Sequence, residues 1–186
     1  MMKKMMFAAA VSLLFAAQAQ AQESDAPFRR NLITANPIGI LADYYNAEFE
    51  RAVSDVASVS LAAERSTIDD EDLTAVDVRF RYYPQARMFS GIALGASLGY
   101  ASFMEGEDFF IETPSGPMYE FRQVERSGPT LGLQVDYSWL LGRDRRLYVG
   151  VGFGLRRLLT GGNGNDDDDG PTLLPGGRYF GVGYTF

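Results

Sequence analysis

The chain has 186 residues with no Cys and no His. The lack of His removes Ser-His-Asp and Cys-His catalysis and the usual catalytic zinc ligand sets, and the lack of Cys removes lipoprotein acylation. Lys3 and Lys4 are the only lysines, so 15 arginines stand against 24 Asp and Glu beyond them, and a net charge of −9 argues against a nucleic-acid partner.

Lys3 and Lys4 precede an apolar run from Phe7 to Ala17, and Ala19-Gln20-Ala21 supplies a small-x-small pattern. Residues 1–21 therefore read as an export signal peptide, with cleavage before Gln22. The run is too short for a membrane-anchoring helix, which needs about 20 apolar residues. Residues 22–186 fit one domain. After a polar lead-in at Ser24 to Arg30, Asn31 to Ile40 is the first candidate strand. Its Leu32, Ile33, Ala35 and Ile38 are spaced too irregularly to assign a face, and Gly39 to Asp43 reads as a tight turn. From Tyr44 to Arg51 the two-residue period of a strand is clean, with Tyr45, Ala47 and Phe49 opposite Asn46, Glu48 and Glu50. Val56 to Ser66 sets Ala57, Val59, Leu61 and Ala63 against Ser58, Ser60, Ala62 and Glu64. Leu73 to Tyr83 sets Val76, Val78, Phe80 and Tyr82 against Asp77, Arg79 and Arg81.

The next strand, Met88 to Phe103, has Ile92, Leu94, Ala96, Leu98 and Tyr100 opposite a nearly bare face of Gly91, Ala93, Gly95, Ser97 and Gly99. Residues 105–126 form the longest irregular stretch, interrupted by Gly106, Pro114, Gly116 and Pro117, although Met118 to Val124 could extend a strand. Ser127 to Trp139 alternates Leu131, Leu133, Val135, Tyr137 and Trp139 with Thr130, Gly132, Gln134, Asp136 and Ser138. Beyond an arginine-rich turn at Leu140 to Arg146, Leu147, Val149, Val151, Phe153 and Leu155 oppose Tyr148, Gly150, Gly152, Gly154 and Arg156. Residues 161–170 are a flexible acidic loop, and Thr172 to Phe186 is a last strand interrupted near Pro175 and Gly176. The expected fold is an all-β, eight-stranded antiparallel up-and-down barrel that crosses a membrane.

The two faces decide inside from outside. With the apolar faces inward, a water-facing surface would carry Gly91, Gly95, Gly99, Gly150, Gly152 and Gly154, an unusually charge-poor exterior. With the apolar faces outward, charged strands alternate with bare ones inside, and large side chains have room to lie across small neighbours. This arrangement predicts an interior ion network of Glu48, Glu50, Asp77, Arg79, Arg81, Asp136 and Arg156, with Glu48 and Glu50 paired to Arg79 and Arg81. Eight strands enclose a space that side chains can fill, which argues against a general porin. Tyr44, Tyr45, Tyr82, Tyr100, Tyr137, Trp139 and Phe186 read as an interfacial girdle.

Other chemistry finds less support. Asn165, Asp167, Asp169 and Gly170 fall on the first, third, fifth and sixth positions of an EF-hand loop, but Gly176 occupies the twelfth, where a bidentate Glu is required. The Asp166 to Asp169 run thus reads as solvated acid, with weak divalent bridging to lipid phosphates as its one metal-dependent option. Interior carboxylates flanked by arginines suit a structural network better than an acid/base pair. The reading expects no catalytic residue, no metal and no cofactor.

Counted from the end, Phe180, Val182, Tyr184 and Phe186 share one parity. The ending resembles the C-terminal strand of bacterial outer-membrane β-barrels, and the resemblance implies recognition by the barrel-assembly machinery. The export signal, the eight alternating segments and this ending together resemble the small outer-membrane barrel superfamily of OmpX-like proteins and OmpA-like transmembrane domains. Asn36-Pro37-Ile38-Gly39-Ile40 with Asn46 to Ala52 looks like the start of a further branch, and no OmpA-like periplasmic domain is expected after Phe186. The resemblance covers residues 22–186 and rests on pattern and terminal strand. It implies a cell outer-membrane location among lipid and lipopolysaccharide. The implied role is non-enzymatic, in envelope integrity or surface interaction, with a surface partner meeting residues 105–126 or 161–170. The alternatives are a narrow small-solute channel and a soluble periplasmic barrel carrying an apolar ligand.

Overall fold

A computed structural model describes residues 29–68, 71–113, 116–159 and 173–186. The expected signal segment 1–21 and the acidic loop at 161–170 lie outside them. Eight strands follow one another: β1 Asn31–Ala35, β2 Tyr44–Ala52, β3 Ala57–Ile68, β4 Glu71–Tyr82, β5 Gly91–Thr113, β6 Gly116–Leu141, β7 Leu147–Leu158 and β8 Leu173–Thr185. Each pairs antiparallel with its neighbours in chain order, and β1 pairs with β8 to close the barrel. Reciprocal backbone hydrogen bonds between Asn31 and Phe186, 3.1 and 2.9 Å, fasten the seam. Closure leaves no free edge in the barrel wall.

The period of two decides which side chains enter. On β4, Val78 is 53% exposed on the outer face, while Asp77 and Arg79 beside it are 1% exposed. The other strands repeat the rule, with Leu133 on β6 reaching 73% exposure outside and Arg81 standing at 0% inside. A water-soluble barrel does the reverse.

Three features depart from the reading of the sequence. The first strand ends at Ala35, well short of Ile40, and a 3-10 turn occupies Gly39–Ala42. Pro37 cannot donate to a ladder. The Asn36 Oδ1 instead accepts the Gly39 N–H at 2.8 Å, and Asp43 closes the turn in the left-handed region at φ 51°. Leu32 and Thr34 point inward and Ile33 outward, which settles the face of β1. Second, most of the stretch read as irregular, residues 105–126, is a hairpin, with continuous pairing from Met104 opposite Glu125 to Thr113 opposite Gly116. β4 leaves β5 at Phe103 and β7 leaves β6 at Thr130, so this arm runs beyond both neighbours. Its residues Phe109, Phe110, Ile111, Tyr119 and Phe121 are strand formers. Third, β8 is irregular at Gly177 to Tyr179, two residues later than expected, and Pro175 sits regularly opposite Leu155.

The lumen is filled in layers. Near the short turns, Leu32, Ala52, Tyr83, Met88, Phe89, Ala93 and Tyr148 form one apolar cluster, against which Leu140 packs. Near the opposite end, Ala75, Ala101, Phe103, Leu158 and Leu174 form another, with Leu73. Between them lies a layer of charge.

Candidate functional site

Six strands contribute charge to the middle layer. β2 carries Glu48 and Glu50 inward, β3 carries Glu64, β4 carries Asp77, Arg79 and Arg81, β6 carries Asp136, β7 carries Arg156 and β8 carries Arg178; all are buried. Register explains how they reach one another. Glu50 lies opposite Ser60, which lies opposite Arg79, so only a small side chain separates the acids of β2 from the arginines of β4. On the other flank Asp77 faces Gly99 and Asp136 faces Gly152. A Cβ built on Gly99 would collide with Asp77 Oδ1, and one on Gly152 with Asp136 Oδ1. The bare strand faces are the space that the long side chains occupy.

Arg81 stands at the hub. Its Nε donates to Asp136 Oδ2 at 2.7 Å, its Nη1 to Glu50 Oε2 and Ser60 Oγ, each at 3.1 Å, and its Nη2 to Glu48 Oε2 at 3.2 Å; Nη1 also meets Glu48 Oε1. Arg79 reaches Asp77 at 3.0 Å and both Glu48 and Glu64 at 3.4 Å. Arg156 binds Glu64 and lies 3.3 Å from Asp77. Arg178 donates to Glu50 Oε2 at 2.6 Å and Glu48 Oε2 at 3.1 Å, contacts the Tyr148 hydroxyl, and lies over the Tyr148 ring at 4.9 Å. Neutral hydroxyls supply further donors: Ser58 and Tyr83 donate to Glu50 Oε1 at 2.5 and 2.6 Å, and Tyr44 to Glu64 Oε2 at 3.2 Å.

The layer therefore holds four guanidiniums among five carboxylates, and every carboxylate lies within ion-pair distance of at least one guanidinium. Ions taken out of water in this way are tolerable only when partners and hydrogen bonds replace hydration. Charges of both signs are interleaved in the layer, which is framed above and below by apolar side chains.

All seven residues expected from the sequence, Glu48, Glu50, Asp77, Arg79, Arg81, Asp136 and Arg156, come together here. The pairing differs in detail, since Glu50 meets Arg81 and Arg178 and Glu48 meets both β4 arginines. Arg178 escaped the sequence reading because its parity matches that of Phe180. Between Tyr179 opposite Gly152 and Gly176 opposite Gly154, β8 has two residues where β7 has only Phe153. This bulge, with φ of 108° at Gly177 and 45° at Tyr179, turns Arg178 inward. The Gly176-Gly177 pair just before a charge was the available signal. Glu64 lies on the inner face, as the alternation of Val56 to Ser66 predicts, and the structure supplies its partners Arg79, Arg156 and Tyr44. Tyr44 leaves the expected girdle: besides bonding Glu64, its ring meets Tyr179 edge-on at 5.5 Å. Of that girdle, Tyr45, Tyr82, Tyr100 and Phe186 do face outward, each 45–55% exposed.

These features define a class, a small closed antiparallel barrel with an oily exterior and an ionic interior. In the comparisons, the chain is similar to the solved N-terminal β-barrel domain of Pseudomonas aeruginosa OprF at 14% identity and a TM-score of 0.45, covering 85% of this chain and 98% of that one. No protein-family model and no curated protein matches the sequence.

Proposed function

We propose that this chain is a non-enzymatic integral protein of the cell outer membrane, with a role in envelope integrity or surface interaction and a lumen closed by its arginine–carboxylate layer. One observation carries the reading: large apolar side chains cover the barrel wall while its charges are enclosed. Leu61, Val78, Leu98, Leu133 and Phe153 are each more than half exposed, a surface that costs free energy in water and gains it in hydrocarbon. An all-protein β-barrel satisfies its backbone internally, as a lipid environment demands. The two apolar clusters and the charge layer leave the lumen filled, which supports a structural role over conduction. Phe180, Val182, Tyr184 and Phe186 form the outward face that the barrel-assembly machinery would recognise. A surface partner would meet the β5–β6 hairpin arm or the acidic stretch at 161–170.

The test is migration of the protein from a purified outer-membrane fraction on a denaturing gel, with and without boiling. A folded barrel shifts its mobility on heating, and recovery as a soluble periplasmic protein without that shift would refute the reading. In planar bilayers the filled lumen gives no steady conductance; a persistent open level would move the assignment to the narrow-channel alternative.

A further inference from the structure

The two rims of the barrel differ in charge. The short-turn rim is rich in arginine: Arg29 and Arg30 precede β1, Arg51 is the penultimate residue of β2, Arg87 lies between β4 and β5, and Arg143, Arg145 and Arg146 lie between β6 and β7. The acids of that rim are Asp55 and Asp144, and with Glu23 and Asp25 of the preceding segment counted, arginines still outnumber acids seven to four. At the other end Asp43 closes the turn before β2, and β4 begins with Glu71 and Asp72.

Resting on the membrane reading above, we infer that the short-turn rim is a binding ring for the phosphates of anionic phospholipids in the adjoining leaflet. The geometry favours a lipid. The ring encircles the barrel at the edge of its apolar wall, where a headgroup meets the chain. Arg51 lies on the outward face of β2 and is exposed. Arg146 donates to the outward Tyr184 hydroxyl at 2.7 Å, with its guanidinium 5.9 Å from the Tyr184 ring centre, so it is held at the aromatic boundary. Its nearest acid, Asp144, is 4.0 Å away and half of the Arg146 side chain is open to solvent. Arg87, Arg143 and Arg145 make no ion pair among the described residues. The chain uses only arginine here, and its planar fork matches phosphate bidentately where lysine offers a point charge.

The protein carries one tryptophan, Trp139, on the outward parity of β6 two residues before the rim turn. It therefore reports the composition of the lipid at this rim. The experiment places the full chain in vesicles of phosphatidylcholine and phosphatidylglycerol in which one or the other lipid is brominated, and reads quenching of Trp139. The expected result is an apparent preference of about threefold for phosphatidylglycerol, the direction set by attraction of basic residues to anionic lipid. The preference falls toward parity in 0.5 M salt, roughly three times the ionic strength at which screening already acts over about 8 Å, and in the combined Arg87→Gln, Arg143→Gln, Arg145→Gln variant. Equal quenching by the two lipids in the wild type overturns the inference, as does a preference that persists in both high salt and the variant. The salt series needs no variant, so a folding defect cannot hide the answer. Absence of quenching by either brominated lipid would instead show that the chain does not insert, and would fail the membrane reading itself.

Discussion

Strands β4 and β8 bring arginine to the same two carboxylates by different routes. β4 does it by unbroken alternation: Arg79 and Arg81 lie two apart, both inward, and both reach Glu48. β8 alternates cleanly only from Phe180 onward, and Arg178 reaches Glu48 and Glu50 because a bulge resets the parity just before. The difference separates two kinds of information. Alternation is a property of one strand, whereas a bulge exists only in the pairing of two, here β8 against the glycine-rich β7. Both routes end in the same layer, which predicts that each can be broken by a change matched to its own mechanism.

The largest effect is expected from deleting Gly177. The pairs Tyr179–Gly152 and Gly176–Gly154 would persist, and Arg178 alone would stand opposite Phe153, facing hydrocarbon. An arginine on the lipid face of a barrel costs about 2–4 kcal/mol near the midplane, and stripping a buried partner costs roughly 3–5 kcal/mol more. Urea unfolding in phospholipid vesicles should show a loss above about 5 kcal/mol, summed from those two costs, or no folded barrel at all. A transition like that of the wild type would mean that the bulge does not set the side of Arg178.

Next come the single neutralisations. Arg81→Met and Arg178→Met are each expected to cost about 3–5 kcal/mol, because each takes a guanidinium away from the buried carboxylates Glu48 and Glu50. Arg81→Met should be the larger loss, since Arg81 also holds Asp136 at 2.7 Å. Combined with Glu50→Gln, both should couple by more than about 1 kcal/mol in double-mutant cycles. Additive effects in either cycle would show that the strand concerned does not share the layer.

A smaller effect tests the space beside each strand. Gly99→Ala abuts Asp77 of β4, and Gly152→Ala abuts Asp136 at the pair that precedes the bulge on β8. Overpacking of this kind typically costs about 1–3 kcal/mol. Denaturant midpoints unchanged for both would contradict the view that bare faces are occupied by their neighbours' charges.

This contrast also explains how far the sequence could be read. Strand-level alternation located seven members of the charge layer, the outward wall and the strand number, because the demand for one apolar face acts residue by residue. It failed wherever the decisive fact lay between strands. Arg178 needed the β7–β8 register. The hairpin arm of β5 and β6 is hidden in the sequence by breakers, and the continuous cross-strand pairing overrides that character at Gly106, Gly116 and Pro117. The first strand was overextended because Ile38 and Ile40 look like strand residues, whereas Pro37 and the Asn36 side chain commit the backbone to a turn.

The smallest effect is expected on the outer faces, where the two strands should at last behave alike. Val78→Leu on β4 and Val182→Leu on β8 each add one methylene to a side chain on the wall. Inside a packed core such an addition costs about 1–3 kcal/mol, because no space exists for it. Against hydrocarbon there is no fixed neighbour to displace, so each should stay within about 0.5 kcal/mol of wild type, as surface substitutions usually do. A core-sized penalty at Val78 would place it against protein and undo the inside-out assignment of the barrel. A penalty at Val182 alone would confine the error to β8, beyond the bulge, where the parity was reset.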